Sequence, residues 1–119
     1  MIKCQICKSD ITVTSCKCES CKTQYQGTFY LPRLARLSHE EQKLAEALIL
    51  HGGNLKELAE NINLSYPTLK KRLKELSVSL EKKKAEDEAK IAQILQDIES
   101  KKISAQEGMK LILEINGEL

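Results

Sequence analysis

A chain of 119 residues with a net charge of +2 has room for one ordinary domain or two very small ones, and little for a large catalytic cleft. Tryptophan is absent and only three Tyr and one Phe occur, so a core must come from Leu, Ile and Ala, which favours a mostly α fold. The charge is segregated: residues 1–36 sum to +4, 37–64 to −3, 65–84 to +5 and 85–119 to −4, so a polyanion would meet the first and third segments and be repelled by the last.

No apolar run follows Met1-Ile2-Lys3-Cys4, and no stretch approaches the roughly 18–20 apolar residues of a membrane span, so a cytoplasmic protein without membrane contact is expected. Five cysteines between positions 4 and 21, with no secretory signal, favour metal ligation over disulfides. Cys4-Gln5-Ile6-Cys7 and Cys18-Glu19-Ser20-Cys21 are two C-x-x-C knuckles, and Ile11, Thr12, Val13 and Thr14 between them alternate like a strand. This is the pattern of a zinc ribbon: a hairpin brings two thiolate pairs together around one tetrahedral ion. Cys4, Cys7, Cys18 and Cys21 fill every position, so the zinc would be structural, with no place for water or substrate. Iron also suits four thiolates. Cys16 is an alternative ligand by position but forms no C-x-x-C of its own. Lys8 and Lys22 follow the knuckles where Gly is common, which leaves the turn geometry open.

Tyr25 to Tyr30, around Gly27, predicts a further ribbon strand that Leu31-Pro32 ends. After a short linker, Ser38-His39-Glu40-Glu41 has the form of a capping box opening a helix with Leu44, Ala45, Leu48 and Ile49 on its apolar face, closed by Gly52-Gly53. His39 and His51 are lone histidines near helix ends, better explained as surface or dipole-facing residues than as ligands.

Leu55, Leu58, Ala59 and Ile62 fall at i, i+3, i+4 and i+7, and Leu69, Leu73 and Leu76 resume helical spacing after a break. Asn63 in the break is the residue that best replaces Gly in a left-handed turn, Ser65 can cap the second helix, and Pro67 is tolerated in its first turn. Two short helices joined by a tight turn, with the preceding helix as third wall, predict a helix-turn-helix unit. With the leucines inward, Pro67, Lys71 and Lys74 face out, with Thr68 and Lys70 on the flanks. That basic face fits a recognition helix on double-stranded DNA, with Tyr66, Thr68, Lys70, Lys71 and Lys74 as candidate contacts; the plainer alternative is a solvated surface or a protein-docking module.

Leu31-Pro32-Arg33-Leu34-Ala35-Arg36-Leu37-Ser38, Gly53-Asn54-Leu55-Lys56-Glu57 and Ser65-Tyr66-Pro67-Thr68 together resemble an uncharacterised bacterial family of short zinc-ribbon and helix-turn-helix proteins, over roughly residues 4–80. Gly53-Asn54 and Thr68-Leu69-Lys70-Lys71-Arg72-Leu73 are also similar to the DNA-binding helices of Fis-type nucleoid and activator proteins. The resemblance implies DNA binding and transcription regulation. The chain departs from the pattern at the positions after each knuckle, at Cys16 and at Asn63.

Leu69, Leu73, Leu76 and Leu80 are spaced as a short coiled-coil seam. Lys82-Lys83-Lys84 then Ala85-Glu86-Asp87-Glu88 is expected to be a solvated helix or hinge, with nucleic-acid contact by the lysines as the alternative. A last pair of helices follows, one lined by Ile91, Ile94, Leu95 and Ile98, the other capped by Ser104-Ala105-Gln106-Glu107 and carrying Met109, Leu111, Ile112 and Ile115. Gly108 inside the second suggests close helix approach or a weak helix. This hairpin resembles those ending many small bacterial regulators; it either dimerises the chain or packs on it as an arm.

The expected organisation is a zinc ribbon over 1–30, a helix-turn-helix domain over 31–84 and a helical hairpin, a candidate homodimerisation arm, over 85–119. The expected function is a non-enzymatic transcriptional regulator that binds DNA. The alternative is an adaptor that docks on transcription machinery or another regulator. There is no glycine-rich phosphate loop, no nucleophile with a His partner and no evident small-molecule substrate site.

Overall fold

Residues 3–117 are described by the computed structural model, in the order β1 (Val13–Lys17), β2 (Gln24–Phe29), a 3₁₀ turn (Arg33–Arg36), α1 (His39–Leu50), α2 (Leu55–Asn61), α3 (Tyr66–Glu99) and α4 (Ala105–Ile115). The chain is mostly helical, with one antiparallel two-stranded sheet near its N-terminus. It divides into two compact units: residues 33–85 form the first, and the chain before residue 33 joins the chain after residue 85 in the second.

The first unit is organised by its capping chemistry and a small leucine core. Ser38 accepts from the Glu41 N–H at 3.2 Å while the Glu41 carboxylate accepts from the Ser38 N–H at 3.1 Å, the complete capping box anticipated for α1. Gln42 donates to the carbonyls of Ala35 and Leu37, fastening the 3₁₀ turn to α1. Leu58, Ala59 and Leu69 form the buried centre, with Leu44, Ala47, Leu48, Leu55 and Leu73 packed around it. The inward face of α1 is rotated from the expected one: Ala47 joins the core, and Ile49 is 71% exposed near Leu34 and Leu50. Ile62 lies beyond α2 as its C-cap and is part-exposed, so the turn rather than the core uses it.

In the second unit, β1 and β2 pair with Val13 opposite Phe29, Ser15 opposite Gln26, Cys16 opposite Tyr25 and Lys17 opposite Gln24. Thr14 therefore faces two residues, Gly27 and Thr28, as in a β-bulge. The strand anticipated around residues 11–14 begins two residues later, and Ile11 stays exposed outside it. Of the solvated helix or hinge expected over residues 82–88, the helix is what forms: α3 runs unbroken for 34 residues, roughly 50 Å. Residues 82–88 hold neither Gly nor Pro, and Lys, Ala and Glu are strong helix formers. What reads as the first helix of a C-terminal pair is thus the end of α3. Its partner is α4, reached through Lys101 in a left-handed conformation (φ 63°) and opened by Ser104, whose hydroxyl accepts from the Glu107 N–H. Gly108 of α4 is buried where a Cβ would overlap the Ile98 side chain of α3, so the glycine marks close helix approach.

Candidate nucleic-acid interface and cysteine knuckles

Ahead of α3 the chain reverses through Ile62, Asn63, Leu64 and Ser65. Asn63 takes φ 56°, the left-handed conformation its type predicts, and the Leu64 N–H returns to the Ala59 carbonyl at 3.0 Å. Ser65 then caps α3: its carbonyl accepts from the Leu69 N–H at 2.9 Å and its hydroxyl from the Thr68 N–H at 3.3 Å. The same hydroxyl donates to the Thr68 hydroxyl at 2.7 Å, which orients Thr68 and leaves its O–H available to donate outward.

Burial of Leu69 and Leu76 on one side of α3 turns the opposite side to water. Tyr66, Pro67, Thr68, Lys70, Lys71 and Lys74 are all exposed, so the five predicted contact residues share one accessible end of the helix. The Lys70 ammonium lies 5.6 Å from the Tyr66 ring centroid, an i, i+4 pairing that sequence periodicity allows but that was not anticipated. A hydroxyl group, an aromatic ring and three ammonium groups thus project from the first turns after a tight turn.

The two knuckles are near copies of one another. The Cys4 N–H donates to Ser9 and the Lys8 N–H to Cys4, both at 2.9 Å; the Cys18 N–H donates to Thr23 at 2.8 Å and the Lys22 N–H to Cys18 at 2.9 Å. Lys8 and Lys22 adopt φ 62° and 64°, so lysine takes the left-handed place of the usual glycine and the two turns match. Paired cysteines lie 3.5–3.7 Å apart. The Ser9 hydroxyl, then its N–H, and the Cys4 thiol lower the Cys7 thiol below its ordinary range. The Thr23 hydroxyl, 3.0 Å from the Cys21 sulfur, leads the same set of causes and lowers Cys21 to about 7. Ser9 and Thr23 were missed as site residues, although the repeat C-x-x-C-Lys-(Ser/Thr) is written in the sequence. Cys16 sits exposed on β1 opposite Tyr25, outside both turns. Among the described residues no three His, Cys, Asp or Glu side chains converge in a group that could hold a metal ion; the donors are assembled two by two.

Residues 37–83 match a family model described as Domain of unknown function (DUF2089)-HTH. The matched segment opens at buried Leu37, takes in α1, α2 and the tight turn, and ends within α3, so the candidate contacts Tyr66, Thr68, Lys70, Lys71 and Lys74 all lie inside an uncharacterised helix-turn-helix family's span. No curated protein and no solved structure matches the chain. No helix among the described residues is long and apolar enough to cross a membrane.

Proposed function

We propose that the protein is a cytoplasmic, non-enzymatic regulator of transcription that binds double-stranded DNA through the N-terminal turns of α3, and that a structural zinc ribbon precedes this module. The observation that carries the proposal is the exposed basic face following the tight turn inside the segment matched to a helix-turn-helix family. The α3 end fits a major groove, Lys70, Lys71 and Lys74 supply charge for phosphates, and Thr68 and Tyr66 supply donors for bases or backbone. The likeness of residues 68–73 to Fis-type helices belongs to the same proposal.

Cys4, Cys7, Cys18 and Cys21 are the residues that would hold zinc. Their support is chemical: two paired-thiol turns with identical hydrogen bonding, each with one thiol shifted toward the thiolate that ligates metal. The ion's role is to join the two turns. Self-association is part of the proposal, because Leu95, Met109 and Leu113 leave apolar surface exposed on α3 and α4. Sedimentation equilibrium of the full chain should give twice the chain mass; a single-chain mass removes the dimer.

Titration of random-sequence duplex DNA tests the main claim. Wild-type protein should bind at low salt, and Lys71→Ala should keep the fold while lowering affinity and reducing the slope of log affinity against log salt by roughly one. If wild type does not bind, or the variant binds unchanged, the adaptor alternative replaces DNA recognition.

A further inference from the structure

Within the second unit, a cleft of about 550 Å³ lies between residues 25–30 on one side and Glu107, Lys110, Leu111 and Glu114 of α4 on the other. The strand wall is a run of consecutive residues. Side chains of a strand alternate between its two faces, so a wall made of every residue in turn is the strand's edge and backbone rather than one face. Among the described residues β2 pairs only with β1, so its second edge has no strand beside it. The helix wall is the opposite kind of surface, with positions i, i+3, i+4 and i+7 forming one stripe of α4.

An open strand edge facing one stripe of a helix is a place where an extended chain can add as a further strand. We propose that this cleft binds an extended, net basic peptide segment of another protein, about six residues long, which pairs with the outer edge of β2. Three observations fit this occupant. Gly27, in the middle of the edge, carries no side chain to obstruct a second backbone. Leu111 offers an apolar contact to alternate side chains of the incoming segment. Glu107 and Glu114 outweigh Lys110 on the helix wall, and residues 25–30 of the strand wall carry no charge, so the lining of the cleft favours basic over acidic peptides. The Lys90 ammonium, 5.7 Å from the Tyr30 ring centroid, fastens the end of the strand wall to α3. A strand edge used this way is satisfied by the partner rather than left as an aggregation site.

The probe is a fluorescein-labelled six-residue peptide of alternating valine and arginine, titrated into the full-length protein and read by anisotropy. Saturable binding is expected, at least about tenfold tighter than for a valine–glutamate peptide of equal length. A valine–arginine peptide with alternate backbone nitrogens methylated should lose binding by about tenfold or more, since its charge is kept and its strand pairing is not. Glu107→Lys with Glu114→Lys, which reverses the charge of the helix wall, should reverse the preference toward the valine–glutamate peptide. Equal binding of the two charge types by wild type overturns the basic occupant. Unchanged binding of the methylated peptide overturns the strand pairing.

Discussion

The two units of this small chain are held together by different means. Every buried apolar side chain among the described residues, Leu37, Leu58, Ala59, Leu69 and Leu76, lies between residues 33 and 85. The other unit buries Gly108 and Asp87 but no large apolar side chain, and relies on two hydrogen-bonded cysteine turns, a two-stranded sheet and a close α3–α4 approach. A unit of that size without a core ordinarily needs a staple, and the paired knuckles are where one would act. The first unit is therefore expected to be stable by burial, the second by metal.

The largest effect should come from the staple. Purified protein should carry one equivalent of zinc by elemental analysis. Cys18→Ser should lose it and unfold the N-terminal sheet, since apparent binding energies of structural zinc are on the order of 10 kcal/mol. Cys16→Ser should retain the ion, and loss of metal there would overturn the ligand set. Resolved amide signals would separate the units: chelation should broaden residues of β1 and β2 and leave those of α1 and α2 sharp. Leu69→Ala should do the reverse, costing the first unit about 2–5 kcal/mol while the metal stays bound.

The same contrast explains what could be read from the sequence. Leucine spacing, Ser38 with Glu41 and the turn at Asn63 are local signals whose physics is settled within a few residues, and the first unit follows them. Rotation of the inward face of α1 toward Ala47 depends on where α2 and α3 press, which no window of one helix contains. The continuity of α3 was legible in composition, and the charge reversal near residue 85 falls where the two units divide, but without a hinge; backbone propensity, not surface charge, decides whether a helix goes on. In the second unit the cysteine repeat was plain, whereas the joining of the N-terminal sheet to the C-terminal helices links residues far apart in the chain and leaves no periodic trace.

A middle-sized effect tests the first unit's cap. Ser38→Ala should cost about 1 kcal/mol at neutral pH, measured by urea unfolding. Glu41 also gives this unit an acid dependence. Partial burial pushes its carboxyl up, but hydrogen bonds from Ser79 and from the Ser38 hydroxyl and backbone, with the nearby Lys83 charge, hold it below the ordinary 4.5. A folded-state value below the unfolded one makes the contribution complete above the unfolded value and lost as pH falls through the folded one. Stability should therefore drop on acidification below about pH 4.5, and Glu41→Gln should flatten that part of the curve. An unchanged acid limb in the variant would assign the dependence to other carboxylates.

The smallest effect compares the two knuckles with each other. Lys8 and Lys22 hold left-handed backbone conformations, φ 62° and 64°, that disfavour a side chain by roughly 1 kcal/mol relative to glycine. Replacing either by Gly relieves that strain in the folded turn but also frees the unfolded chain, so the net gain should be only about 0.5 kcal/mol. Because both turns make the same hydrogen bonds, Lys8→Gly and Lys22→Gly should stabilise the ribbon about equally, and the double variant should add the two gains. Chelator competition reads the gain as tighter metal retention. Removing a lysine also removes a positive charge beside the thiolates, which works in the opposite direction and weakens with salt. The measurement is therefore made at low and high salt: a gain that persists at high salt belongs to the backbone. If both variants hold metal less well even there, the lysine side chains support the turns by contacts that outweigh the relief of strain.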